Sequence, residues 1–235
     1  MHSVTEISLN RRKDNGIMSG YEEIKKNEEI LAYLRKADKN LEVLGYTEHS
    51  AAHTTLVAER AAHILDVLGY SEHEKELVKI AGFMHDIGNA VNRKNHAEYG
   101  ALLAETILRN TDLDLDDRVT IVSAIGHHDE TTGGARDAVS AALIIADKTD
   151  VRRSRVRPDE TNFDIHDRVN YAVTDNRLNI DVEKKKITLE IEVDENICTM
   201  YEYFDIFLGR MMMSKAAAEF LKVKFSLVVN GSKVL

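Results

Sequence analysis

The stretch from Leu77 to Asn89 constrains this chain most. Its apolar residues Leu77, Val78, Ile80, Ala81, Phe83 and Met84 recur three and four apart, which predicts a buried helix, and Gly88 stands where such a helix stops. The end of that helix carries His85 and Asp86, whose imidazole and carboxylate are usual ligands for transition metals. Neighbours on a helix point about 100° apart, so one ion takes both only near a helix end or with an adjusted geometry. The chain has 235 residues, enough for a substantial core and for one large domain, or one domain plus a small appendage. A single proline and the lack of Gly/Ser-rich linkers extend the helical reading to most of the sequence. No internal repeat is present.

The remaining segments divide into a helical body and a mixed C-terminal region. Val4 to Leu9 reads as a short edge strand within an N-terminal arm over 1–19. The helical body is expected over 20–160. Gly20 to Leu44 reads as a surface helix ended by Gly45, with Ile24, Leu31, Leu34 and Leu41 near helical spacing. A small-residue-rich helix follows through His49 and His53, which share a face, and closes at Gly69. Ser71 is the expected N-cap of the His85-Asp86 helix. A polar connection, Asn89 to Asn95, leads to a helix from His96 to Leu108; the next, Asp114 to Ile125, ends in Gly126-His127-His128-Asp129. A densely apolar helix over Ala135 to Asp150 carries Asp147 near its end, ahead of the basic run Arg152, Arg153, Arg155 and Arg157. Over 161–235 a small α+β region is expected. It comprises a helix from Phe163 to Val173, strands Leu178–Val182 and Ile187–Val193 joined by a turn, a long helix from Asn196 to Leu221, and a strand Phe225–Val229, with a β-α-β crossover open to it. Its methionine run, Met211 to Met213, reads as core or interface filler.

Composition narrows the functional classes. A formal net charge of −9 argues against a general nucleic-acid binder, although local arginines or metals can still receive a small anion. The lone cysteine, Cys198, permits no intrachain disulfide and fits a reducing cytoplasm. The N-terminal residues do not read as a secretory h-region, and no apolar run approaches the roughly 18 residues that span a bilayer.

The candidate ligands of the helical body are His53, His85, Asp86, His96, His127, His128 and Asp147. Asp147 near a helix C-terminus opposes the helix dipole, which calls for a compensating positive charge, either a metal or the nearby arginines. The order His53, His85-Asp86, Asp147 resembles the signature of the HD-domain metal phosphohydrolases. Phe83-Met84-His85-Asp86-Ile87-Gly88 is similar to their namesake motif, His53-Thr54-Thr55-Leu56 to their first histidine helix, and Ile145-Ala146-Asp147 to their final aspartate. His96-Ala97-Glu98-Tyr99-Gly100 and His127-His128 stand where the dinuclear HD-GYP phosphodiesterases and the YqeK-type di-iron diadenosine-tetraphosphate hydrolases place second-metal ligands. The resemblance spans about Glu48 to Pro158.

The resemblance implies a mainly α, helical bundle holding one or two divalent transition metal ions (iron, manganese, nickel, cobalt or zinc). His53, His85, Asp86 and Asp147 would hold the first ion; Asp86 would bridge to a second at His96, His127 and His128, with the better ligand of the last two open. His49 stands where a third-metal branch has an acid, so it becomes a candidate substrate contact. Asn89 replaces the lysine common in both branches, and the Gly-Tyr-Pro triplet is missing after His128, which weakens a cyclic-dinucleotide reading. The expected activity is hydrolysis of a phosphate ester or anhydride, in a nucleotide above all. Asp86 would be essential, Asp129 a proton donor to the leaving oxygen, and Arg152, Arg153, Arg155 and Asn89 contacts to phosphate, with Arg93, Lys94 and Arg157 as further cationic candidates. Two other readings stay open: a regulatory module that binds a phosphorylated ligand without cleaving it, and an oxygen-using di-iron enzyme. The expected partner is the small substrate, without membrane or nucleic acid. A homodimer is a further expectation, formed by strand Ile187 to Val193 pairing across a two-fold axis.

Overall fold

The computed structural model describes residues 20–157 and 165–235. The expected N-terminal arm and strand Val4 to Leu9 lie outside the described residues, as do the start of the helix expected from Phe163 and the proline at 158. The helical body runs α1 (Tyr21–Ile24), α2 (Glu28–Val43), α3 (Ala51–Val67), α4 (Glu72–Met84), α5 (His96–Leu108), α6 (Leu115–Gly126) and α7 (Ala138–Lys148). The helix expected over Gly20 to Leu44 is split. The Asn27 side chain accepts from the amides of Glu29 and Ile30 and so restarts the helix as α2. Ser71 caps α4 as expected, in a box with Glu74, and Asp137 with Ser140 starts α7 three residues later than the apolar pattern suggested.

Helices α4 and α7 lie at the centre. From Leu77 to Met84 nearly every α4 side chain is buried, because α3, α6 and α7 cover it. All of α7 from Val139 to Lys148 is buried as well. Gly82 makes the α3–α4 contact possible: a Cβ there would lie 2.8 Å from the Ala58 Cα, closer than side chains pack. The two helices that carry His53 and His85 are thus held together by the smallest residues available.

The C-terminal region is α+β, as expected: α8 (Ile165–Ala172), β1 (Val173–Asp181), β2 (Lys186–Val193), α9 (Met200–Phe220), β3 (Lys224–Val229) and β4 (Ser232–Lys233). The sheet order is β1-β2-β3-β4. β1 and β2 are antiparallel, β2 and β3 are parallel across the α9 crossover, and β4 returns antiparallel. Strand β1 begins five residues before the expected Leu178, directly after α8. β2 points Ile187, Leu189, Ile191 and Val193 into the core, and α9 packs between β3 and α7. One hydrophobic cluster therefore runs from the bundle into the sheet. The idea that Ile187–Val193 pairs across a two-fold axis is overturned by its position: β2 is hydrogen-bonded on both sides and offers no free edge. Of the methionine run, Met211 is buried and Met212 is exposed. Among the described residues no helix is long and apolar enough to cross a membrane.

Candidate metal centre

His85 and Asp86 reach one point because α4 ends between them. Met84 is the last α4 residue and His85 its C-cap; Asp86 then leaves the helical path at φ −97°, ψ 0°, before a short 3-10 turn, Ile87–Ala90. Gly88 lets this turn press on the start of α5, where a Cβ would meet the His96 carbonyl oxygen at 1.9 Å. Asn95, in the left-handed region at φ 61°, then aims His96 back at the same point. His53 comes from the first turn of α3, His128 from just beyond α6, and Asp147 from the last turn of α7.

These six side chains converge. His85 Nε2 lies 3.2 Å from Asp86 Oδ2 and 3.7 Å from Asp147 Oδ1. His53 Nε2 lies 3.5 Å from Asp147 Oδ1 and 3.7 Å from Asp86 Oδ2. On the other side of Asp86, Oδ1 is 3.7 Å from His96 Nε2, which is 3.1 Å from His128 Nε2. Ligand atoms lie within 4.8 Å of one another in three sets: His53/His85/Asp86, His85/His128/Asp147 and Asp86/His96/His128. All six residues are buried.

The hydrogen bonds around the cluster fix which ring nitrogens face it. His85 Nδ1 donates to the Gly82 carbonyl at 2.7 Å, and His128 Nδ1 to the Ile125 carbonyl at 2.6 Å. Carbonyls only accept, so both protons sit on Nδ1 and each Nε2 turns a lone pair inward. His53 Nδ1 does the same toward Asp150 Oδ2 at 2.7 Å. His53 Nε2, His85 Nε2 and Asp86 Oδ2 are buried without any hydrogen-bond partner. Lone pairs and carboxylates facing one another in a closed site repel unless a cation lies between them. Burial disfavours charge on His85, yet Asp86 and Asp147 override it and raise its pKa to about 10: without a metal, the site draws a proton to the same place. Burial would raise Asp86 and Asp147, but His85 in the first case and Lys148 in the second hold them well below the usual carboxylate range. Burial, followed by the charges of His85 and His96, pushes His128 down to about 3, so it is neutral, as a ligand must be. The nitrogen-and-oxygen donor set, its orphaned atoms and its tautomers all fit a divalent transition metal.

The other expected site residues fall in different places. His127 does not join the cluster; its Nδ1 donates back to the Ser123 carbonyl at 2.8 Å. Asn89 spends its amide on Asp86, donating to Oδ1 at 2.9 Å and to the main-chain oxygen at 3.1 Å, and so fixes that carboxylate. Asp129 Oδ2 is 3.7 Å from His96 Nδ1. Burial would raise its pKa, but hydrogen bonds from the Thr131 hydroxyl and amide lower it, so it is ionised and poorly suited to deliver a proton. The arginines of the basic run are engaged by protein groups. Arg152 pairs with Asp150, Arg153 stacks on Tyr171, Arg157 pairs with Asp38, and Arg155, though it borders the cavity, donates to the main-chain oxygens of Glu48 and Asp150. His49 lines the cavity beside the His53 ring.

Further residues, outside the candidate set above, complete the site. Asp150, fully buried, holds His53; Lys148 Nζ bridges Asp147 Oδ2 at 2.8 Å and Glu130 Oε2 at 2.7 Å, and so supplies the positive charge expected beside Asp147. From the C-terminal region, His166 and Asn170 of α8 and Ile206, Phe207 and Arg210 of α9 close the far wall of a cavity of about 130 Å³ over the cluster. Only tertiary packing brings them there, and no local motif announces them.

Comparison with known proteins agrees with this geometry. Residues 50–159 match the HD domain family. The chain is also similar to the uncharacterized protein MJ1020 of Methanocaldococcus jannaschii, with 28% identity over 171 residues. That match covers 62% of this chain and spans 65% of the relative's length.

Proposed function

We infer, from the membership of residues 50–159 in the HD domain superfamily and from the cluster inside them, that this protein is a metal-dependent phosphohydrolase acting on a small phosphorylated substrate, a nucleotide in our reading. The observation that carries the proposal is Asp86. Its Oδ2 faces His53 and His85 without a hydrogen-bond partner, while its Oδ1 faces His96, so one carboxylate borders two donor sets. In this reading His53, His85, Asp86 and Asp147 would hold one divalent ion, and Asp86, His96 and His128 would hold a second.

Bound there, such ions would lower the pKa of a coordinated water and neutralise phosphate charge. The chain's own residues do the positioning. Asn89 fixes the rotation of the Asp86 carboxylate, and Asp150 fixes the ring of His53. Lys148 and Glu130 hold Asp147 in place. Asp129 stays ionised 3.7 Å from His96 Nδ1, where its charge favours the tautomer that carries the proton on Nδ1 and leaves the Nε2 lone pair free. Closure by α8 and α9 limits water around the cluster, and the apolar side chains of Ile206 and Phe207 offer a surface for the non-phosphate part of a substrate.

The test is phosphate release from a panel of nucleotides by protein reconstituted with each candidate metal, against an Asp86→Ala control. Turnover that the control loses is the expected result. Metal uptake without any turnover would favour the regulatory reading, and oxygen consumption in place of phosphate release would favour the oxidative one.

A further inference from the structure

A hydrolase of phosphate esters needs cationic groups for the anion besides its metals, and most of the cations near this site are already engaged. Lys148 lies between two carboxylates, and Arg155 donates to two main-chain oxygens. Arg152, Arg153 and Arg157 have partners outside the cavity. Asn89 cannot carry the charge of the lysine it replaces.

Two guanidinium groups on the cavity wall remain. Arg93, beside His96, makes only long hydrogen bonds, with Nη1 3.4 Å from Asn89 Oδ1 and 3.3 Å from His96 Nε2, a nitrogen a metal would claim, and its guanidinium carbon sits 5.3 Å from the Tyr46 ring centre. Arg210 lies at the Asp147 end. Its Nη2 donates to the Asp147 carbonyl at 3.3 Å and is 3.9 Å from Asp147 Oδ1. Its Nε is buried and has no hydrogen-bond partner. The guanidinium carbon sits 5.4 Å from the Phe207 ring centre, so stacking steadies the group without using its donors. A guanidinium with five N–H groups, a buried unpaired Nε and a place in a metal cavity's wall suits bidentate contact with phosphate oxygens.

We propose that Arg210, carried on α9 of the C-terminal region, binds the substrate's phosphoryl group together with Arg93, so that the C-terminal region supplies part of the substrate site. The proposal rests on the metal-site reading above. It assigns the cationic role to a residue 63 positions beyond Asp147 in sequence, and it makes the appended α+β region necessary for substrate affinity while the HD cluster alone suffices for metal.

Calorimetric titration of inorganic phosphate into the full chain loaded with Mn²⁺ tests this. Arg210→Gln should weaken phosphate binding by about tenfold or more, as expected for a lost charge-assisted contact, while metal content per chain stays at the wild-type value. Arg210→Lys should fall between the two, since it keeps the charge and loses the fork. Methylguanidinium added to Arg210→Ala should restore part of the affinity, which a purely structural role would not allow. Arg177→Gln, on the exposed face of β1, should bind phosphate like the wild type. Equal phosphate affinity in wild type and Arg210→Gln would overturn the proposal. Wild-type protein that takes up metal but no phosphate would overturn it and leave the metal site standing, whereas failure to take up metal would overturn both.

Discussion

Replacing Asp150 by asparagine separates the candidate metal ligands from the groups that hold them. Asp150 is fully buried, accepts from His53 Nδ1 at 2.7 Å and from Arg152 Nη2 at 3.0 Å, and faces Arg155 Nη1 at 3.8 Å. Burial would raise its pKa, but the His53 hydrogen bond and the Arg155 charge lower it, so it is a carboxylate throughout the physiological range. Asparagine keeps the shape but offers one acceptor oxygen, and its NH₂ meets another donor. It also leaves the buried Arg155 without its counter-charge. The expected cost lies between one charge-assisted hydrogen bond and a broken buried ion pair, about 2–4 kcal/mol. Metal affinity should fall about 10- to 100-fold, the usual effect of removing a group that orients a ligating histidine. Urea denaturation of chelated protein measures the first quantity, and competition with a chelator of known affinity measures the second. Destabilised Asp150→Asn protein whose metal affinity stays within about twofold of wild type would refute the claim that Asp150 acts through His53.

Other expectations follow from the same geometry. His128→Ala should lose metal while His127→Ala keeps the wild-type content, because only His128 turns Nε2 inward; mass spectrometry on purified protein reads both. Gly82→Ala should force α3 and α4 apart at Ala58 and cost about 1–3 kcal/mol in denaturation, with weaker metal binding as a consequence, since His53 and His85 ride on those helices. In chelated protein, His85 has a pKa raised above its unfolded value. Its contribution to stability is therefore complete below about pH 6.5 and is lost as pH rises toward 10. Denaturation at pH 6 and pH 9 should show that loss without metal and little of it with metal, and a gain in stability at pH 9 would contradict the assignment.

The candidate ligands that the structure brings together were legible in sequence because each sits in a short, local pattern. His85-Asp86 closes an apolar helix before Gly88, and Asp147 ends another. The choice between His127 and His128 was not legible, since adjacent residues share one motif. It is made by the end of α6, where both rings donate Nδ1 back to helix carbonyls, His127 to Ser123 and His128 to Ile125, but His128 is the one that brings its Nε2 to His96. The partners of the arginine run were not legible for a similar reason: Asp150, Asp38 and the Glu48 carbonyl are brought to it by packing, some of them more than 100 residues away. Arg210 lies in a helix that is apolar around most of its surface, beside a methionine run, and nothing in that neighbourhood points to a site in another part of the fold. The strand Ile187–Val193 was legible as a strand, but alternation of side chains fixes only its faces; its neighbours β1 and β3 decide that it has no free edge.

The most direct test of the central claim is metal content per chain, measured by mass spectrometry on protein prepared without chelator or affinity metal and then reconstituted. The site as described predicts about two equivalents of a transition metal in the wild type and loss of both in Asp86→Ala. An absence of bound metal after reconstitution, or an Asp86→Ala variant that keeps the wild-type content, would contradict it.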